Sequence, residues 1–460
     1  MSATLSTPLP QTAFDSAAFE KFLAGRNEPA WLVDQRRGAF EAYRESLNQE
    51  LDPEEWKRVD IRAFRPEKFS IQAGPQSTTA LETLLADRAE FAGAVCHLDG
   101  ACTRASLSEK WTKLGVLFGN LSDLIQSHGD ILRPHLMTRA VKPDADRFSA
   151  WHATFWTGGT VLYVPRNVEV NEPLYSLIGL GAEAAADFSH TLVILEEGAS
   201  ATLLEETTSA TLTATGLHIG AVELLLAPRS NLRYVQLQNW NDKVWHFAHQ
   251  VGRVEESASL QWTVGGLGSR LAHIHQEVFL DGRRAEAQVN GVTFATDRQL
   301  ISYYTQQTHN APNTRSDLLY KDVVRDKARC IWRGMIKVAK DAQKTDGYQR
   351  NDGLIMSDTC RVDAPRIACS GASQRIRSLG GDVAGAHARD RRARDPPLRR
   401  HAVAHDAACR DRVPCPRRHH EAARRRRARG VRRSLGTLLD LAHRALDRER
   451  STGAGRRCAV

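Results

Sequence analysis

The sequence predicts a mainly β protein: a stack of short parallel strands behind an N-terminal α-helical region, followed by an Arg-rich tail unlike either. Three observations carry this. Helical periodicity dominates residues 13–147. A loose repeat of short apolar-x-apolar runs begins near Phe148. The composition then breaks near residue 358, after which there is no Lys and no aromatic residue.

Residues 1–12 are rich in Ser, Thr and Pro and are expected to be disordered. From residue 13, Phe14, Phe19, Phe22, Trp31, Leu32, Phe40 and Tyr43 recur at helical intervals with charges on the other faces. Asp52-Pro53-Glu54-Glu55 combines a capping side chain, a proline suited to the first helical position and acids at the positive end of the dipole, so Trp56 falls on a short second helix. Residues 81–90 and 107–136 are expected to be helical again. In the second of these, Leu107, Trp111, Leu114, Leu117, Leu121, Leu124 and Ile125 form one stripe.

Residues 148–358 form the expected strand core. Thr160–Val164, Thr191–Leu195, Val222–Leu226, Leu232–Leu237, Leu260–Val264 and Arg329–Trp332 read as strands. GASATL at 198–203, RSNLRY at 229–234, SASLQW at 257–262, GRRAEA at 282–287 and DKARC at 326–330 share one pattern. Aligned on Ala201, Leu232, Leu260, Ala285 and Ala328, they stand 31, 28, 25 and 43 residues apart. That period without intervening helices argues against βαβ units and for a coil of stacked rungs, with an antiparallel sandwich as the rival.

Composition narrows the function. The 460 residues, 42% hydrophobic and 25% charged, suit a globular body. The net charge of +9 averages two unlike parts: residues 361–460 hold 26 Arg and 10 acids, a formal +16, against −7 for the rest. The first twenty residues show no secretory signal and no run nears the ~20 apolar residues of a membrane span, so a cytoplasmic location is expected. The eight Cys include no C-x-x-C pair, which leaves zinc-ribbon and thioredoxin chemistry unsupported. Gly-Lys occurs nowhere, excluding a P-loop ATPase, and no G-x-G-x-x-G dinucleotide loop is present.

Several segments together resemble the SufB/SufD family of iron–sulfur cluster assembly proteins. They are FWTGGTVLYVPRNVEV at 155–170, LEEGASATLLEE at 195–206, NWNDKVW at 239–245, YYTQQTHNAPNTRSDLLYKD at 303–322 and WRGMIKVAKDAQKTDGYQRND at 332–352. EPAWLVDQRRGAFEAY at 28–43 and EEWKRVDIR at 54–62 are similar to the SufD branch more than to SufB. The resemblance covers about residues 25–360 and implies a right-handed parallel β-helix between helical ends. It also implies a non-catalytic subunit that pairs with a SufB-like subunit through the β-helix and docks a SufC-like ATPase through its C-terminal helices. The complex builds a transient iron–sulfur cluster, and none is expected to be held tightly by this chain alone. Without SufB a homodimer is possible. Lys344, Asp346, Gln349 and Asn351 are expected in the last rungs near the seam between subunits, in structural or interface roles.

After Asp358 the resemblance stops. The family continues to Asp-Asp-Val-x-Cys-x-His-Gly-Ala-Thr-Val-Gly, whose Cys and His are candidate cluster or interface ligands. Here Asp382-Val383 is followed at that spacing by His387, but Gly385 replaces the Cys and Ala388 the Gly, so only His387 carries over as a metal-ligand candidate. A frameshift in a GC-rich gene accounts for an Arg-, Ala- and Pro-rich tail without Lys or aromatics. The alternative is a basic disordered tail, with RRRRAR at 424–429, that binds nucleic acid. Little packed structure is expected over 361–430.

Elsewhere, His246, His249, His273 and His275 are better read as solvent-facing or hydrogen-bonded residues on rung surfaces than as metal ligands. Cys330 is expected in the core, and Cys96 and Cys102 in structural roles. A carbohydrate-active β-helix enzyme requires paired carboxylates on consecutive rungs, and no such pair stands out.

Overall fold

The computed structural model describes residues 14–72, 81, 83–86, 90–363, 367–370 and 375–384. The chain winds as a parallel β-solenoid of about seven turns, alternating between two sheets, so the sandwich alternative is set aside. One sheet runs from Leu174–Leu180 through Ser200–Ser209, Asn231–Asn239, Ser259–Gly266, Glu286–Ala295, Arg315–Val324 and Asp346–Ile355 to Arg375–Ala384. We call it the open sheet, because no helix among the described residues packs on its outer face. The other, the covered sheet, runs from Gly158–Val164 through Ser189–Leu195, Gly216–Leu226, Val244–Val254, Leu271–Leu280 and Leu300–His309 to Arg329–Val338.

The repeat has a concrete cause. Asn167, Arg229, Ser257, Arg284, Asn313 and Lys344 all have φ near +60°, and Gly198 has φ +70°. Each sits at the same corner of successive turns. The amide of Gly198 donates to Pro228 O, that of Arg229 to Glu256 O and that of Ser257 to Arg283 O, so each corner hangs on the next. A small buried residue follows six of these seven, Ala199, Ser230, Ala258, Ala285, Thr314 and Thr345, whereas half-buried Val168 follows Asn167. Ala201, Leu232 and Leu260, aligned by sequence, are true register partners. Leu260 then pairs with Ala287, not Ala285, which is instead the corner counterpart of Ala258. Ala328 belongs to a corner leading into the covered sheet, beside Asp326 at φ +60°. DKARC resembles the other segments because at Asp326 too a left-handed residue comes shortly before a small one.

Inward residues of both sheets form one core, including Val193, Leu203, Leu224, Tyr234, Trp262, Ile274, Tyr303, Tyr320 and Trp332. The outer face of the covered sheet is apolar as well: Leu192, Leu217, Ile219, Phe247 and Leu271 pack beneath Phe19, Phe40, Trp56, Phe64, Phe148 and Trp151. The covering layer comprises α1 (Ser16–Ala24), α2 (Ala30–Leu47), α3 (Pro53–Trp56), α5 (Leu121–Leu132) and α6 (Arg147–Phe155), whereas the one-turn α4 (Glu109–Thr112) puts Trp111 into the inner core. Asp52 caps α3 as expected, accepting from the Glu54 amide. Not every charge of α2 faces water. Arg36 is wholly buried, donating to both Glu28 carboxylate oxygens and to Thr154 O and Trp156 O, with its guanidinium 4.1 Å from the Trp156 ring centre.

Three expectations need correction. Residues 107–136 are not one helix: Leu107 ends the strand Ala101–Leu107, Leu117 begins the strand Leu117–Asn120, and Leu114 is 51% exposed. Pairing overrode periodicity here. Gly115 turns the chain at φ +80°, and Leu117–Asn120 then closes the covered sheet antiparallel to Gly158–Val164. Within 81–90, the described residues form turns and bends rather than helix. The stack also outlasts residue 358: Arg361–Asp363 and Ile367–Ser370 pair with Arg329–Val338, and Arg375–Ala384 pairs with Asp346–Ile355 over ten residues. A finished parallel edge templates further strands through backbone groups alone, whatever the side chains. The expected disorder of residues 1–12 falls outside the described residues.

The corners predict an unusual substitution profile. Ser257→Gly should leave stability unchanged or raise it, whereas Ser257→Val, β-branched in a left-handed position, should cost about 1–2 kcal/mol in denaturant unfolding. Arg36→Ala should cost about 3 kcal/mol, because it removes a buried ion pair together with two carbonyl contacts that tie α2 to α6.

Candidate functional site

The two ends of the solenoid differ. At the N-terminal end Gly93–Leu98 and Ala101–Leu107 form an antiparallel hairpin whose outer strand is mostly exposed, and Leu117–Asn120 closes the other sheet. At the C-terminal end Arg375–Ala384 pairs only with Asp346–Ile355, and Arg361–Asp363 and Ile367–Ser370 only with Arg329–Val338, among the described residues. Among the described residues the stack therefore ends there on parallel edges. Asp382, the acid of the family-like motif, stands in register with Gly353 on that last strand. His387, Gly385, Ala388 and the Arg-rich segments lie outside the described residues. Lys344, Asp346, Gln349 and Asn351 belong to the penultimate rung of the open sheet: Lys344 at the corner, Gln349 and Asn351 buried.

The interior is unusually polar. Asp322 accepts from Thr293 Oγ1 at 2.5 Å and from Asn351 Nδ2 at 2.7 Å. Cys330 lies beside Thr293, with burial raising its thiol well above the usual range, so it is the core residue expected rather than a nucleophile. Farther along, Glu205 accepts from Thr191, Tyr234 and Gln236, and burial raises its carboxyl value. A cavity of about 20 Å³ lies beside it, lined among others by Thr207, Gln236, His246 and Gln250. His246 points inward, accepting from Trp240 Nε1 at 3.0 Å, which puts its own proton on Nε2. Cys96 and Cys102 lie on the N-terminal hairpin, where Cys102 pairs in register with His97.

The outer face of the covered sheet carries a second set of imidazoles that meet carboxylates under the helical layer. His152 on α6 bonds Ile219 O through Nδ1 and His190 through Nε2, and His190 Nε2 lies 3.1 Å from Glu223. Glu223 also accepts the amides of Met137 and Val141. Three hydrogen bonds link these groups in series, one more than two neutral imidazoles supply, so the chain holds one further shared proton. Burial and the neighbouring imidazole depress His152 well below the usual range.

His249, His273 and His275 complete the set. His249 Nε2 lies 3.0 Å from Asp146, which also caps α6 through the Phe148 and Ser149 amides. His273 and His275, two apart on one strand face, both place Nε2 at 2.7 Å from one oxygen of Glu55. The three imidazoles are thus hydrogen-bonded, as expected, but their acids were not foreseen. In the sequence Glu55 stands out only as an acid at the start of a short helix, and Asp146 lies 103 residues from His249. No local spacing reveals either.

Two imidazoles share one carboxylate, and one charge suffices. Burial holds His273 below the usual value, while Glu55 and Asp146 outweigh burial at His275 and push it up to about 9. Against burial, the two imidazoles drive Glu55 far down. A raised imidazole contributes stability below its ordinary 6.5 and loses it as pH climbs through about 9. A depressed carboxyl contributes above its ordinary 4.5 and loses it as pH falls. The tie should therefore be strongest between pH 4.5 and 6.5. In melting curves across pH, Glu55→Gln should lose most there and converge with the parent chain above about pH 9.

The buried carboxylates are occupied by hydrogen bonds and no helix among the described residues is long and apolar enough to span a membrane. Comparison with known proteins gives two family matches: the SufBD protein N-terminal region over residues 20–175, and the SufBD core domain of the SUF iron–sulfur cluster assembly system over 178–371. The second continues past Asp358, where resemblance was expected to end. Iron–sulfur cluster assembly SufBD family proteins of Staphylococcus aureus and Staphylococcus epidermidis are 24% and 25% identical over 349 residues, covering 74% of this chain and 75% of theirs. One from Staphylococcus saprophyticus is 26% identical over 279 residues, 60% of each chain. With a solenoid and a helical layer matched in order, the chain belongs to the SufB/SufD family of iron–sulfur cluster assembly proteins.

Proposed function

We propose that this chain is the SufD-type subunit of an iron–sulfur cluster assembly scaffold and pairs with a SufB-type subunit at the C-terminal end of its solenoid. The observation that carries this is the contrast between the two ends. An antiparallel hairpin finishes one end, whereas the other offers a ten-residue parallel edge, Arg375–Ala384, with a second edge beside it. An unfinished parallel edge is costly to leave bare, and a second solenoid continuing the rungs satisfies its amides and carbonyls and covers the last inward residues.

In this assignment the chain supplies no chemical step. It fixes one wall of a seam at which a partner's groups and its own hold a transient cluster as cargo, with His387 the candidate donor from this side. The SufD-branch segment at 28–43 supports the assignment, since Glu28 and Arg36 within it join the helical layer to α6. In the family a SufC-type ATPase docks on C-terminal helices. Residues 372–460 lie beyond the family match and are rich in Arg, so ATPase docking by this chain is lost while the SufB-type contact is weakened or retained. Neither nucleic acid nor a membrane enters the scheme.

Affinity capture of the tagged full chain, co-expressed with SufB-type and SufC-type partners, tests both parts. The SufB-type protein should be retained, and the SufC-type protein should be absent whenever the SufB-type protein is omitted. Capture of the SufC-type protein by this chain alone would overturn the docking claim. Recovery of only a homodimer in the presence of SufB-type protein would overturn the pairing.

A further inference from the structure

The imidazole–carboxylate cluster beneath α3 has the composition and placement of a metal site. His273 and His275 project from one strand face, and His249 is the register partner of His275 on the adjacent strand, so the sheet fixes three imidazoles in a triangle. Two carboxylates descend on them from the helical layer. Glu55 lies 2.7 Å from both His273 Nε2 and His275 Nε2, and Asp146 lies 3.0 Å from His249 Nε2. One donor atom each from Glu55, His273 and His275 falls within 4.8 Å of the others, and the same holds for Asp146, His249 and His275. Around a tetrahedral ion with bonds of about 2.0–2.1 Å, donors stand about 3.3 Å apart, so the two Glu55–imidazole separations need to open by about half an ångström, and the third pair already lies within 4.8 Å.

We propose that Glu55, His273 and His275 bind a divalent first-row transition ion of the Fe²⁺ or Zn²⁺ class, with His249 and Asp146 as further donors on the His275 side. Imidazole with carboxylate selects this class over Ca²⁺ and Mg²⁺, which take all-oxygen shells. The surroundings match those of metal-bound imidazoles. Ser302 Oγ lies 3.1 Å from His273 Nδ1, and its hydroxyl can rotate from donating to accepting when the ring proton moves from Nε2 to Nδ1 on metal binding. Trp56 lies 4.5 Å from the His273 ring and Tyr304 stacks on His275, giving an aromatic wall. Asp146 spends one oxygen on its helix amides and points the other at His249, and its side chain, 31% exposed, marks the solvent approach. An ion held here bridges α3 to two strands and clamps the helical layer onto the solenoid. This site lies on the outer face of the stack and does not depend on the seam proposed above.

The test uses the full chain, stripped with chelator and titrated with Co²⁺ under reducing conditions. One equivalent should bind with visible d–d bands lacking the strong thiolate charge transfer of Cys ligation, and Zn²⁺ should displace it. Glu55→Gln and His275→Gln should each weaken Co²⁺ binding at least tenfold, while His419→Ala with His420→Ala, in the basic tail, leaves it unchanged. Zn²⁺ should raise the melting temperature of the parent chain and not that of His275→Gln. If Glu55→Gln fails to fold, His275→Gln, which keeps the Glu55–His273 bond, carries the comparison. No binding by the parent chain, or unchanged binding in folded His275→Gln, would overturn the site and leave the cluster as a metal-free tie.

Discussion

Each turn of this solenoid is held by the turn after it. A corner residue in the left-handed region turns its amide onto a carbonyl of the next rung, and the small residue behind it lets the chain re-enter the core. Inward side chains lose water only when rungs lie on both sides, so a single turn has no stability of its own. Everything else in the molecule answers to that constraint. The first rungs must be closed, and antiparallel strands close them. The outer face of one sheet, as apolar as its inner face, must be covered. The final rung remains a surface that another stack can continue.

The cover is attached by charge as well as by apolar contact. Phe148, Trp56 and Phe64 pack over Phe247, but orientation comes from polar ties: Arg36 to the end of α6, Glu223 to the amides of Met137 and Val141, Asp146 to His249, and Glu55 to two imidazoles. Such buried ties contribute little net stability compared with an apolar replacement, but breaking one leaves an unmatched charge. They therefore fix how the layer sits. The His–His–Glu chain beneath α6 and the cluster beneath α3 belong to one design, in which the strands offer imidazoles and the helical layer supplies or orders the acids.

The fold was legible in the sequence because solenoid corners are local. GAS, RSN and SAS each encode a left-handed residue and a small successor, and three of the five aligned segments fell in true register. The alignment slipped at Ala285 because a corner alanine and a strand alanine stand two residues apart in one rung. The stripe from Leu107 to Ile125 misled because apolar spacing alone does not exclude strands that are claimed by a neighbouring edge. The burial of Arg36 is not legible in the sequence, because helical periodicity does not report which charges a second helix will bury. The acid partners of His249 and His273 were hidden for a simpler reason: they come from segments more than a hundred residues away, and only the packed layer brings them together. His387 was found through a motif rather than through geometry.

The central claim is that the C-terminal edge of the stack is a docking edge. Hydrogen–deuterium exchange on the full chain, alone and with a SufB-type partner, measures it directly. Amides of Asp346–Ile355 and Arg375–Ala384 should slow on mixing, with Ala101–Leu107 unchanged. Protection confined to the N-terminal hairpin or to the helical layer, with the last rungs exchanging as before, would contradict it.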